Sequence, residues 1–586
     1  NSLVTAPHAF FGTVAYMAPE RLTSVFYDHR ADLFAFGVLL HEMLAGANPF
    51  AGATVPETMS AILRDDPPDP PGVPAALAAV VRDCLSKMPD RRLASAAALV
   101  ERLEACRAPS AERAATAAPR IAGTFPAIDS LAVLPFDNES NDKDSDYLID
   151  GLTDSLIDNL SQIPRLRVMA RSTVFRWRDR DARPAAIGAE LGVRAVLHGR
   201  LQRRGDALVI RAELVDAADG TRLWGGRFDR PVGDLLSIED EICREITDNL
   251  RFRLSAEEKG LVAKRHTENP QAHEAYLKGR FVWNRWKTPD AMRTAIGFFE
   301  RAIELDPLYA RAYAGLADSY AILGNVKAIA PDEAYPRAKT VANQGLAIDD
   351  TVAELHSSLG FIQRFWDWDW EASRRSFERA IALNPGYASA HRFYAQLLAG
   401  LGEHDASIER GKRAYELDPL SPIIPGAVGD LFFYARRYDE AMEYYRKVIE
   451  LDPTFLPGHT DLARALELAG RYDEAIEEFR TAEKLAPKGP PEPSSGLAHV
   501  YARMGRRAEA LAIVDELKAL SATRYVSPYG IASIYACLGE VDTALDWLEK
   551  AYDAHDQTLV WVKVHPRLDG LRHHPRYQNL LRKMRL

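Results

Sequence analysis

Four prolines, Pro385, Pro419, Pro453 and Pro487, each follow the apolar end of a helical stretch at a constant interval of 34 residues. A fixed period of this length restricts the chain to stacked units, each too small to bury its own apolar face. Within the period ending at Pro487, Leu462, Ala463, Leu466, Ala475, Phe479 and Ala482 fall at helix–turn–helix spacing. The preceding period repeats the scheme with Val428, Gly429, Phe432, Ala441, Tyr445 and Val448, ending at Pro453. The small residues let two helices approach, and the aromatic ring fills the layer to the next unit. Divergent copies, around Leu316-Ala317, Leu359-Gly360, Gly505 and Gly539, extend the pattern to about eight helix pairs over residues 270–586. From Pro307 to the matching Asp350 the interval is 43, which predicts an insertion near Val326–Pro331.

The repeats cover only part of a 586-residue chain, and single cores stop growing at roughly 250–300 residues, so a multidomain, mostly α protein is expected. Lys+Arg 73 against Asp+Glu 83 gives a net charge of -10, which favours no nucleic-acid partner. The longest apolar run, Leu33–Leu40, stops at His41 and is too short for a bilayer, so no membrane partner is expected. Cys84, Cys106, Cys243 and Cys537 lie far apart without a CxxC pair, which suits a reducing, cytoplasmic location. The chain opens on Asn1 rather than Met, so it is expected to be a piece of a longer protein.

Residues 129–254 alternate strand and helix patterns. Ser130–Phe136 and Leu166–Ala170 read as strands, Tyr147–Ile163 as a helix, and the runs from Ala195 to Phe228 as hairpins turning at Gly205 and Gly220. Residues 106–128, rich in Ala, Pro, Arg and Ser, read as a linker. Asp150, Asp154 and Asp158, spaced i, i+4, i+8, read as a solvated acidic stripe rather than a metal site. Trp366, Trp368 and Trp370 read as packing residues, and His573-His574 as a helix boundary.

Three resemblances follow from these residues. The 34-residue units resemble the tetratricopeptide repeat, which implies a solenoid whose groove binds protein or peptide partners. Ser130–Phe136, Asp150–Thr153, Arg167–Arg171, Leu191–Val193 and Leu223-Trp224 resemble the TolB-like domain, an α/β module. Gly12-Thr13-Val14-Ala15-Tyr16-Met17-Ala18-Pro19-Glu20 resembles the end of a protein-kinase activation segment. Asp32 and Gly37, then Cys84–Pro89 with Arg92, continue the likeness through residues 1–105 as a partial, α-helical C-lobe, with Met88 standing where the family has Asp.

The kinase resemblance implies roles. Glu20 and Arg92 would pair to pin the activation segment, and Asp32 would accept hydrogen bonds from the catalytic-loop backbone. Gly12 and Thr13 would line the substrate site, Gly37 would be structural, and Thr5 would be a phosphorylation site. The Gly-rich loop, the strand lysine, the catalytic Asp and the magnesium-binding Asp of a kinase precede this motif, and no DFG stands before Gly12. The complete protein is therefore expected to use ATP and Mg2+ on protein Ser/Thr substrates, whereas this chain is expected to hold no ATP site. Without that half, residues 1–105 are expected to pack loosely. The alternative is a non-enzymatic repeat scaffold carrying a relic half-lobe; a transcriptional regulator is disfavoured because the motif stands in place of a basic recognition helix.

Overall fold

The computed structural model describes residues 14–23, 28–52, 54–70, 73–93, 95–105, 128–140, 145–178, 182–205, 207–249, 264–285, 288–486 and 491–586. The chain divides into two compact units, Asn1–Phe125 and Pro126–Leu586. Thr5, Gly12, Thr13, Pro487 and nearly all of the linker lie outside the described residues.

The first unit is helical: α1 (Pro19–Thr23), α2 (Arg30–Ala45), α3 (Val55–Arg64), α4 (Ala75–Leu85) and α5 (Ala96–Ala105). The sequence T-V-P-E sets the start of α3 through a reciprocal capping box between Thr54 and Glu57. Helix α4 crosses α2 at Gly37, where an added Cβ would stand 2.7 Å from the Cβ of Cys84. Ala31–Leu44 is apolar on nearly every side, and only part of that surface is covered in this chain. Leu33, Phe34 and Val38 are buried, but Phe36, Leu39 and Met43 are exposed at 37, 47 and 74%. They share one face with Asp32, because 32, 36, 39 and 43 follow helical spacing.

The second unit opens with a mixed sheet. Strands β1 (Ser130–Val133), β2 (Asp137–Asn138), β3 (Arg167–Val168), β4 (Ala195–Arg204), β5 (Ala207–Asp216) and β6 (Arg222–Pro231) run in the order β3-β1-β4-β5-β6, with β2 also on β4. β1 pairs in parallel with β3 and β4, while β4, β5 and β6 form antiparallel hairpins. Helices α6 (Asp146–Ser161), α7 (Arg171–Val174), α8 (Pro184–Leu191) and α9 (Leu235–Asn249) complete the α/β part.

Sixteen helices then pair into eight hairpins among the described residues. The first helices of the pairs are α10 (Pro270–Trp283), α12 (Ala310–Asn325), α14 (Ala353–Ile362), α16 (Ala388–Leu401), α18 (Ile423–Tyr434), α20 (Leu456–Leu468), α22 (Glu492–Arg503) and α24 (Pro528–Cys537). The second helices are the odd-numbered ones, from α11 (Pro289–Leu305) through α13 (Pro331–Ile348) and α17 (His404–Leu417) to α25 (Val541–Asp553); α26 (Pro575–Lys583) ends the chain. The expected insertion near Val326–Pro331 is only partly there. Compared with the fourth pair, α16 and α17, the second pair is two residues longer in its first helix, three in its loop and four in its second helix. In that loop Lys327 adopts a left-handed φ of 55° and sets its ammonium 3.1 Å from the ring centre of Tyr525, in the seventh-to-eighth-pair loop.

A single buried cluster runs from the sheet, through α6 and α9, into the first three pairs. Among the described residues no helix is long and apolar enough to cross a membrane.

Candidate functional site

In the first unit the chemistry gathers on Arg92. Its Nη1 donates to Glu20 Oε1 at 2.6 Å and its Nη2 to Glu20 Oε2 at 2.8 Å, a bidentate pair. The same guanidinium donates to the backbone carbonyls of Ser86 at 2.7 Å and Arg30 at 3.0 Å, and lies over the Phe34 ring. Arg92 thus ties the α1 segment, the start of α2 and the loop after α4 into one knot, with its side chain fully buried. Asp32 stands exposed in the first turn of α2, apart from this knot.

In the second unit the polar residues of interest lie on the first helices of successive pairs, which line the inside of a stacked superhelix. They run from Arg280 and Arg311 through Glu354, Arg392 and Asp430 to Arg464 and Glu467. Part of this inner face is filled by the chain itself. Gly151 of α6 meets Leu277 of α10 so closely that a Cβ would stand 2.7 Å from the leucine side chain.

The acidic residues of α6 are not a solvated stripe, which corrects the reading from their spacing. Asp150 is 1% exposed and accepts from Arg171, Arg178 and Arg285; Asp154 accepts from Arg171 and from Asn284 at 2.8 Å. Asn159 accepts from Arg311 at 3.1 Å. Burial, with Glu354 close by, pushes the Asp158 carboxyl up to about 7 against the pull of Arg311 and Arg280. The spacing put these acids on one face correctly; what it could not show is that arginines distant in sequence cover that face.

The loops after the third, fourth and fifth pairs complete the seat. Gly386 N donates to Ser161 O at 3.1 Å and Ala170 N to Leu417 O at 2.9 Å. Asp418 accepts from the hydroxyls of Ser172 and Thr173, and Arg176 donates to Leu451 O at 2.9 Å.

The C-terminal segment closes the middle of the groove. His555 stacks on Trp368 at 4.5 Å, Trp561 stacks on Tyr434 at 4.2 Å, and Trp370 Nε1 donates to Met584 O at 2.7 Å. Trp366 stacks on Tyr335 at 5.6 Å and meets His555 at 4.4 Å, so Trp366, Trp368 and Trp370 are all packing residues. Their junction is a wide π turn, Gln363–Asp367, followed by Trp368 at a left-handed φ of 50°. Arg364 in that turn is 1% exposed, its Nε and Nη2 lack hydrogen-bond partners among the described residues, and burial lowers its pKa to about 9. It lies over the rings of Phe365 and Trp561. His574 caps α26, accepting from Arg576 N. No cluster of three or more His, Cys, Asp or Glu side chains among the described residues could hold a metal ion. A cavity of about 170 Å3 stays open between the last three pairs and the C-terminal segment.

Comparison with known proteins gives three kinds of match. Residues 2–103 match the protein kinase domain family, residues 127–245 the second domain of HilA/YgeH-like transcriptional regulators, and residues 369–422, 432–492 and 468–527 tetratricopeptide repeat families. Putative adenylate cyclase 3 of Rhizobium meliloti is 34% identical over 193 residues, which are 33% of this chain and 33% of that protein. The serine/threonine-protein kinase PkaA of Streptomyces coelicolor is 37% identical over 89 residues, 15% of this chain and 16% of its own length. The kinase PknH of Mycobacterium bovis is 40% identical over 89 residues, 14% and 15% of the two chains. The chain thus spans a third or less of each of these curated relatives. A thermophilic tetratricopeptide protein of Thermus thermophilus aligns in structure at 22% identity over 33% of this chain and 98% of its own, with a TM-score of 0.29. The chain is accordingly related to serine/threonine kinases at its start and carries tetratricopeptide repeats in its second unit.

Proposed function

We propose that the first unit is the substrate-side part of a serine/threonine protein kinase, and that the TolB-like module and repeats of the second unit bind protein partners and regulate it. In the complete protein the reaction moves the γ-phosphoryl group of ATP to a Ser or Thr hydroxyl with Mg2+. In a kinase the groups that hold ATP and Mg2+ precede the activation segment, and the residues of this unit would support them. What these residues do is hold shape. The bidentate Glu20–Arg92 grip supports the reading, because it fixes α1 as the end of an activation segment, in which Gly12 and Thr13 would face a substrate and Thr5 would take the activating phosphate. Asp32, exposed on the uncovered face of α2, would receive the catalytic-loop backbone.

The test is to express the whole reading frame and follow phosphate transfer from labelled ATP to a Ser/Thr-rich protein. Magnesium-dependent transfer that falls at least tenfold in Glu20→Ala is expected. A product of the whole frame with no transfer would overturn the kinase reading. A second reading, a non-enzymatic repeat scaffold, draws on the tetratricopeptide matches at residues 369–527, which lie apart from the kinase-like residues 2–103.

A further inference from the structure

The mixed sheet of the second unit ends unequally. At one edge β3 holds two residues; at the other β6 holds ten, from Arg222 to Pro231. An open edge strand of that length is a template for another strand. The hydrogen bonds at the end of β5 show which backbone groups of β6 are free. Asp216 N donates to Thr221 O at 2.8 Å, on the β6 side, and Ala217 N to Arg194 O at 3.0 Å, on the β4 side. Backbone direction alternates along a strand, so the even-numbered residues of β5 serve β6. Of these, Leu208, Ile210 and Ala212 stand opposite Arg230, Phe228 and Gly226. Gly225, Arg227 and Asp229 therefore turn N–H and C=O away from the sheet, and all three are exposed. Among the described residues one bond reaches these groups, from Arg230 Nη1 to Asp229 O at 3.3 Å.

Charge on the open face of the same edge says what a further strand must carry. Arg200, Arg211 and Arg227 stand directly opposite one another on β4, β5 and β6, all exposed. Like charges in one cross-strand row repel. At its inner end the row is closed by Asp137 of β2, opposite Arg200 in the ladder, and by Glu139, 3.1 Å from the same guanidinium. Arg211 has no ion pair among the described residues. At the outer end Arg227 has only Asp229 of its own strand, at 3.9 Å, with both side chains 62% exposed. The strand position beyond Arg227 thus calls for a carboxylate, and β6 itself supplies one. Turned antiparallel about Phe228, a second β6 sets its Asp229 opposite Arg227 and its Arg227 opposite Asp229. The same register sets Gly226 against Arg230, which leaves that side chain room. It also sets Gly225 against Pro231, whose missing N–H ends the added ladder on each side. The neighbouring registers, centred on Arg227 or on Asp229, would put like charges face to face.

We propose that the chain dimerises through β6, laid antiparallel to β6 of a second copy, with Arg227 opposite the partner's Asp229. The interface lies on the sheet of the second unit and does not depend on the kinase reading. A contact of one strand pair stands at the small end of interfaces, so the dimer is expected to be weak. The test is sedimentation equilibrium of the full chain over roughly 1–100 μM, where a concentration-dependent dimer is expected. Arg227→Asp and Asp229→Arg are each expected to weaken it roughly tenfold or more, because the twofold turns both attractive pairs into repulsive ones. Both side chains are exposed, so the melting temperature of each variant is expected to stay level. Mixed in equal amounts, the two variants are expected to pair with each other as tightly as the parent does with itself, since every Asp then faces an Arg. A chain that stays monomeric throughout this range would overturn the proposal. So would a dimer that neither substitution weakens, which would place the interface elsewhere, or two variants that stay apart when mixed.

Discussion

At the scale of single residues, two buried arginines stand in opposite surroundings. Arg92 directs its guanidinium at a carboxylate and at backbone carbonyls, so cutting it leaves Glu20 facing a partnerless pocket. Arg92→Ala is expected to cost the first unit about 3–5 kcal/mol, and Arg92→Lys to recover little, because an ammonium cannot grip both oxygens; hydrogen exchange along α2 reads the loss. Arg364 is the reverse case, a buried cation with rings above it and no carboxylate bonded to it. Replacing it by Met is expected to leave stability level or raise it by about 1–3 kcal/mol, read by thermal unfolding. The sequence carries the first case in a motif of fixed spacing. It hides the second, because Trp561 meets Arg364 from the far end of the repeats.

Asp158 gives a pH signature. Its carboxyl is raised, so the folded chain binds this proton more tightly than the unfolded one. Stability from this group is present below pH 4 and is lost as pH rises from about 4 towards 7. Asp158→Asn is therefore expected to unfold at a higher temperature than the parent at pH 8, with the difference closing by pH 4. Glu354, Arg311, Arg280 and Asp154 face the same group, so each shifts the midpoint without changing the sign.

At the scale of elements, the repeat period was readable because helix pairs carry their size pattern locally. The nine extra residues of the second pair were not, since a lengthened helix keeps the same periodicity as a short one and only the total interval changes. The α6 helix shows the limit more sharply. Acids at i, i+4 and i+8 mark a shared face, but Arg171 and Arg285, 21 and 135 residues from Asp150, decide whether that face is wet. Gly151 locates the seat: a larger residue there must push Leu277 aside. Gly151→Val is expected to destabilise the second unit by about 1–3 kcal/mol and to speed proteolysis between α9 and α10, while Gly233→Ala, with open space around it, is expected to change nothing.

At the scale of the whole molecule, the two halves of the second unit were separable on paper and are not separable in space. Composition and pattern divide residues 129–254 from 270–586, yet one apolar cluster joins them and the inner face of the repeats holds α6. Removing residues 126–263 is expected to leave the first four pairs insoluble, and calorimetry of residues 126–586 to show one transition for the sheet and those pairs together. Each such solenoid is ordinarily a spring, because a repeat touches only its neighbours and can yield alone. Lys327 resting on Tyr525, together with His555 on Trp368 and Trp370 on Met584, clasps early coils to the end of the chain, so they cannot yield one by one. Pulled from its ends, it should resist until the clasp slips and then give way over several coils at once.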